Sequence, residues 1–331
     1  LVARRVSKKR ARKAPDTTLT CKDVAFPAEK RIYLEGVYGI AGLFLVVAYN
    51  IQWWLVGPPL NQGLEPNAAL YGKWWIPLII LAYPYAAWQV ANVLAVRPRR
   101  KLLKQAGPSA RVLNKSHPRL KAVLAEQARL LGLPEPEMYV LHDDAAYMYS
   151  LPGKGAGIII TTDALLAGLD DDEMATMIAR EMGHALCNHV RMAFVLEYMR
   201  HAPAIVRILL FPITALSVIM KNWLDLIEST ADRVAVVVMG RAAIVNEAVV
   251  KAGVITDPTA EITSEEVDAF LAHATDLSID AAQIERHYKM GEFLTRHPHL
   301  RDRIEEIRTF PQTEQGEAAL LKMEEARQKL L

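Results

Sequence analysis

The sequence predicts an α+β domain, mostly helical with a small sheet, carried behind a two-helix transmembrane hairpin. Three observations predict it: two long apolar runs in the first hundred residues, a short β-branched run at Ile158–Thr162, and the helix-spaced string Arg180-Glu181-Met182-Gly183-His184. A chain of 331 residues has room for one substantial domain plus extensions. Hydrophobic residues make up 52% and gather in particular segments.

Residues 1–32 read as a basic arm. Residues 1–31 hold ten Lys/Arg against three Asp/Glu, so with a total charge of +2 the remaining 300 residues carry −5. The first residue is Leu rather than Met, which reads as a processed or truncated chain. The opening is free of acids until Asp16, the composition of a mitochondrial presequence or of what remains beside one; a solvated basic arm is the other reading. No aromatic-interleaved binding module follows, so nucleic acid is not an expected partner. Two cysteines, Cys21 and Cys187, make no disulfide framework and fit a reducing compartment.

Residues 33–97 read as the hairpin, with spans at 37–56 and 74–96. Each has the roughly 20 apolar residues that cross a bilayer core. Trp53, Trp54, Trp74 and Trp75 flank the connecting loop as interfacial aromatics do, and the outer flanks are basic, with Arg97, Arg99, Arg100, Lys101 and Lys104 after the second span. Positive-inside reasoning puts both termini on one face, cytoplasmic or matrix, and makes the lipid bilayer the first partner. A third apolar stretch, 202–220, contains Pro203, Arg207 and Pro212. Re-entrant, interfacial and core-helix readings stand, with membrane contact without crossing preferred.

Residues 98–310 read as the main domain. Lys115–Leu131 has helical spacing, with Gly132 as cap and Pro134 as stop. Glu137–Leu141 and Ala156–Thr162 read as strands, joined through a turn-forming connection at Tyr147–Gly153. Asp170 to Glu173 supply an N-cap and first-turn acids for a helix. On that helix Arg180, His184 and Cys187 fall within about 60° of each other, whereas His189 falls opposite. Glu228 and Asp232 lie one turn apart on a later helix. Residues 311–316 read as a linker and 316–331 as a surface helix.

The chemistry centres on Arg180 to His184. In H-E-x-x-H, two histidines one turn apart hold zinc and the Glu acts as general base on the bound water. Glu181 and His184 match the base and the second ligand. Arg180 stands where the first His belongs, and a guanidinium has no lone pair to give. Cys187 is either a further donor beside His184 or a small apolar residue packed under the helix, the latter preferred.

Together with Glu228-Ser229-Thr230-Ala231-Asp232, Leu151-Pro152-Gly153 and Arg296-His297-Pro298 ahead of Arg303-Ile304, this string resembles the HtpX-like membrane zinc metallopeptidases, a gluzincin family with a mitochondrial inner-membrane branch. The resemblance covers about residues 115–310 and implies a zincin-like metallopeptidase domain. It implies that Glu228 is the third zinc-ligand position, Asp232 the carboxylate behind a zinc-bound His, His297 a cleft residue near the reaction oxyanion, and the Leu-Pro-Gly stretch part of a substrate-pairing edge. Departures are Arg180, Tyr147 in place of an Asn and Asp163 in place of a Gly.

Two functions follow as expectations. The leading one is a non-catalytic, membrane-anchored homologue with no cofactor, acting as scaffold or accessory subunit of a mitochondrial inner-membrane complex, its main domain in the matrix. There Glu181 and His297 are vestigial, His184 and Glu228 are empty ligand positions, and Arg180 replaces the metal by pairing with Glu228 or Asp232. The alternative is an active zinc metalloendopeptidase of membrane protein quality control; a plasma membrane of bacterial type, with the domain in the cytoplasm, is the alternative location.

Overall fold

The computed structural model describes residues 19–56, 75–107, 110–112, 116–257, 262, 266–267 and 298–330. The basic arm before Leu19, the loop with Trp74, and His297 lie outside them. A short helix α1 (Cys21–Val24) leads into α2 (Pro27–Val56), and α3 (Trp75–Ala106) follows. Both long helices outrun the apolar spans marked by the sequence, α2 upstream of Val37 and α3 beyond Val96. An Arg31–Glu35 pair one turn apart (3.2 Å) supports the polar start of α2.

Among the described residues, two helices are thus long and apolar enough to cross a membrane, and only 22% of each apolar window is buried in the protein. Leu45, Val46, Leu78 and Ile79 face outward, an arrangement opposite to that of a soluble core helix. The inner faces of α2 and α3 pack on α7 (Val190–His201) and α9 (Phe211–Ile219) through Ile40, Phe44, Ala87, Val195, Leu196 and Ile213. Gly36 permits close contact here: a Cβ would collide with Met220 Sδ.

Segment 202–220 forms two short helices, α8 (Ala204–Leu209) and α9, broken at Leu210 ahead of Pro212. Its inner residues join the apolar cluster of the hairpin, while Ile205, Ile208, Leu209, Phe211, Val218 and Ile219 are exposed.

Helix α4 (Pro118–Leu130) precedes a three-stranded sheet in the order β1 (Glu137–Leu141), β3 (Ile158–Thr162), β2 (Met148–Leu151). β1 runs parallel to β3, and β2 runs antiparallel to it with Met148 opposite Thr161 and Leu151 opposite Ile158. The expected turn at Tyr147–Gly153 is therefore half strand. Four residues are too few to display a two-residue period, and the reversal comes later, where Gly155 and Gly157 take positive φ. Thr162 caps α5 (Asp163–Gly168), and Asp170 caps α6 (Asp171–Leu186) through a capping box with Glu173.

Helix α10 (Lys221–Met239) lies along α6, and α11 (Ala242–Thr256) and α12 (Pro298–Thr309) close the core around Ile178, Met182, Val234 and Val249. The expected linker 311–316 is instead a 3₁₀ turn (Phe310–Gln312) and the start of α13 (Glu314–Gln328), capped by Thr313. That helix is docked rather than free, because Ala319, Met323 and Ala326 are buried and Lys322 pairs with Asp23. Cys21 and Cys187 form a disulfide with Cα atoms 4.9 Å apart across 166 residues, correcting the reading of two unpaired thiols. That pairing is set by which helix ends meet, and spacing does not reveal it.

Gly183 decides how closely α6 and α10 approach. A Cβ there would meet Val234 Cβ at 3.0 Å and Ala231 Cα at 3.2 Å. Gly183→Ala is expected to overpack this contact and cost about 1–3 kcal/mol, read as a lower thermal midpoint in detergent. An unchanged midpoint would show that the two helices can separate freely.

Candidate functional site

Helix α6 is buried on every side from Glu173 to His184, and α10 is buried from Thr230 to Val238. Polar side chains between them have little water to pair with and must pair with each other. The structure brings Arg180, Glu181, His184, Glu228 and Asp232 together at this contact.

Arg180 turns inward, with 8% of its side chain exposed, and donates from Nε to Asp232 Oδ1 (2.6 Å) and from Nη2 to Glu228 Oε2 (2.7 Å). Asp232 is 1% exposed and also receives Arg303 Nε at Oδ2 (2.6 Å) and Arg303 Nη2 at Oδ1 (2.9 Å). A carboxylate held by two forked guanidiniums is fully compensated. Burial opposes the charge on Arg180, but Asp232, Glu228 and Glu181 outweigh it and raise its pKa.

Glu228 is 43% exposed at its side chain and meets His184 Nε2 at 3.4 Å through Oε1. Desolvation pushes its carboxyl up, yet His184, Arg180 and Arg303 hold it well below the usual carboxylate range. Desolvation likewise disfavours the His184 cation, but Glu228 and Glu181 raise its pKa on balance. With His184 protonated, three cations (Arg180, Arg303, His184) face three acids (Glu181, Glu228, Asp232), and the cluster is neutral. Glu181 accepts a hydrogen bond from Ser150 Oγ on β2 (2.6 Å).

Of the three positions that the resemblance assigns as zinc ligands, only His184 and Glu228 can donate to a metal, and these two contact each other. A catalytic zinc takes three protein ligands, so the residues present do not fit one.

His189 departs from its expected place. Asn188 takes a positive φ of 58° just after α6 ends, so the helical wheel does not extend to His189. The His189 ring lies 5.7 Å from that of His184, and its Nε2 is 2.7 Å from buried Glu29 Oε1. Glu29 Oε2 also accepts from Thr230 Oγ1 (2.6 Å), which ties the start of α2 to α10. Sequence reasoning assigned no part to Glu29, Ser150 or Arg303. Arg303 was marked by the Arg-Ile pair of the late motif, whereas Glu29 and Ser150 carried no local signal.

The model of Peptidase family M48 matches residues 114–310. A metallopeptidase from Arabidopsis thaliana, "Plastoglobule-localized metallopeptidase 48, chloroplastic", is 31% identical over 90 residues, 27% of this chain and 26% of the relative. The matched stretch thus spans about a quarter of that relative's length. No solved structure matches the chain.

Arg180→Ala would leave Asp232 and Glu228 short of a buried cation. It is expected to destabilise the protein by about 3–5 kcal/mol in denaturant titration, far more than removal of an exposed arginine. A pH dependence follows from His184. Its pKa is raised from 6.5 in the fold, so its contribution is complete below pH 6.5 and lost as pH rises through the folded value. Chelator-treated protein should lose thermal stability above pH 6.5, and His184→Gln should lose that slope.

Proposed function

The chain belongs to peptidase family M48, and on that premise we propose that it is a catalytically silent, membrane-anchored member that serves as a scaffold or accessory subunit of a membrane complex. One observation carries the reading: Arg180, at the first zinc-ligand position, spends its donors on Glu228 and Asp232. The guanidinium supplies the positive charge that a dication would bring to those carboxylates, and it cannot ligate. Glu181, the family's general-base position, is engaged by Ser150.

The bilayer reading rests on the two apolar helices and on the exposed apolar side of α8 and α9. For location, the basic composition of the N-terminal residues supports an organelle membrane, with the mitochondrial inner membrane and a matrix-facing main domain as the specific proposal. The plastoglobule protein of Arabidopsis thaliana extends the organellar range of similar sequences. The Cys21–Cys187 bond is the observation that counts against a reducing matrix, because disulfides persist in oxidising compartments.

Metal content tests the reading directly. Purified protein is expected to hold no stoichiometric zinc at the family site and to show no metal-dependent cleavage of unfolded membrane substrates. Arg180→His should gain zinc at that site, since the new imidazole completes a set with His184 and Glu228. Wild-type cleavage that is abolished by Glu181→Gln would overturn the silent reading and establish the active endopeptidase.

A further inference from the structure

Beside the ion-pair cluster lies a second group of donors that the family reading does not use. The sulfurs of Cys21 and Cys187 and a ring nitrogen of His189 all lie within 4.8 Å of one another. They arrive from three places: the start of α1, the end of α6 and the start of α7. The left-handed Asn188 reverses the chain between Cys187 and His189 and so brings both side chains to one point.

His189 adds an independent observation. The residue is 2% exposed, and its Nδ1 is buried with no hydrogen-bond partner among the described residues. Its Nε2 is held at 2.7 Å by Glu29, itself fixed by Thr230. A histidine that gives one ring nitrogen to a carboxylate and leaves the other free is arranged as metal-bound histidines are. Burial of a free imidazole nitrogen is costly without a partner, and a metal would supply one.

We propose that Cys21, Cys187 and His189 form a redox-gated site for a thiophilic dication, zinc being the natural one. In the oxidised chain the two sulfurs are bonded to each other. In the reduced chain they and His189 provide two thiolates and one imidazole, a donor set that suits zinc, with the fourth position left to water. With zinc–sulfur bonds of about 2.3 Å and zinc–nitrogen bonds of about 2.0 Å, the two sulfurs move apart once their bond is cut and the imidazole nitrogen comes nearer, both by side-chain rotation at helix ends.

Opening the site takes a dithiol. One of its thiolates attacks a cysteine sulfur and breaks the S–S bond, and its second thiol then resolves the mixed disulfide. The dithiol leaves as its cyclic disulfide, having given two electrons and two protons, and both cysteines emerge as thiols. A zinc ion then displaces those two protons to water.

Cobalt(II) reports the site in the full-length protein, since only thiolate ligation gives an intense near-ultraviolet charge-transfer band. The ligand positions His184 and Glu228 contain no sulfur, so metal bound there stays silent in this band. Protein reduced with dithiothreitol and desalted without oxygen should bind one cobalt with the band, and zinc should displace it. Oxidised protein should show no band. Cys21→Ser and Cys187→Ser should each weaken or abolish it, and His189→Gln should weaken affinity about tenfold or more, with circular dichroism checking the fold of each variant. The proposal is overturned if reduced wild-type protein gives no band. It is equally overturned if folded His189→Gln binds as tightly as wild type, or if the reduced chain unfolds even with zinc present.

Discussion

Asp232 is the constraint around which the domain is arranged. A carboxylate at 1% exposure is tolerated only where cations replace its lost water, and here two guanidiniums do so from different helices. Arg180 reaches it from α6 and Arg303 from α12, so one buried oxygen pair draws three helices to a common point. Gly183 permits the required approach by leaving space against Ala231 and Val234. The ion pairs and the close helix contact thus occur at the same place, between α6 and α10.

The same contact lies at a seam between two apolar clusters. One gathers Ile178, Met182, Val234 and Val249 in the main domain, and the other gathers Ile40, Ala91, Leu216 and Trp223 around the hairpin. Helix α10 belongs to both, with Trp223 and Ile227 on one side of the ionic cluster and Val234 to Val238 on the other. Glu29 extends the connection, because the first turn of α2 is hydrogen-bonded to His189 and Thr230. These two bonds tie the start of the hairpin to the helices that carry the polar cluster.

For a metallopeptidase scaffold, an arginine at a ligand position keeps a cation beside the carboxylates but changes the chemistry drastically. A guanidinium keeps neighbouring carboxylates ionised, as Glu228 shows by its depressed pKa, but it polarises no water and accepts no lone pair. The fold is retained because its electrostatic requirement is still met.

Much of this was legible in residue order. Twenty-residue apolar runs announce bilayer-length helices because the bilayer core has one thickness. Asp170 and Glu173 announce the start of α6 because a capping box is local, and the resemblance to the HtpX-like metallopeptidases implied that Arg180, His184, Glu228 and Asp232 share one cleft. What order did not contain were several other pairings between distant segments. Cys21 with Cys187, Glu29 with His189, Ser150 with Glu181 and Lys322 with Asp23 are each separated by more than thirty residues, and nothing in either partner's neighbourhood names the other. Periodicity describes one element at a time and stops where the element stops, which is why His189 was assigned to the wrong face once the chain turned at Asn188. Tertiary packing alone chose these partners, because burial makes an unpaired polar group costly and the fold decides which groups are buried together.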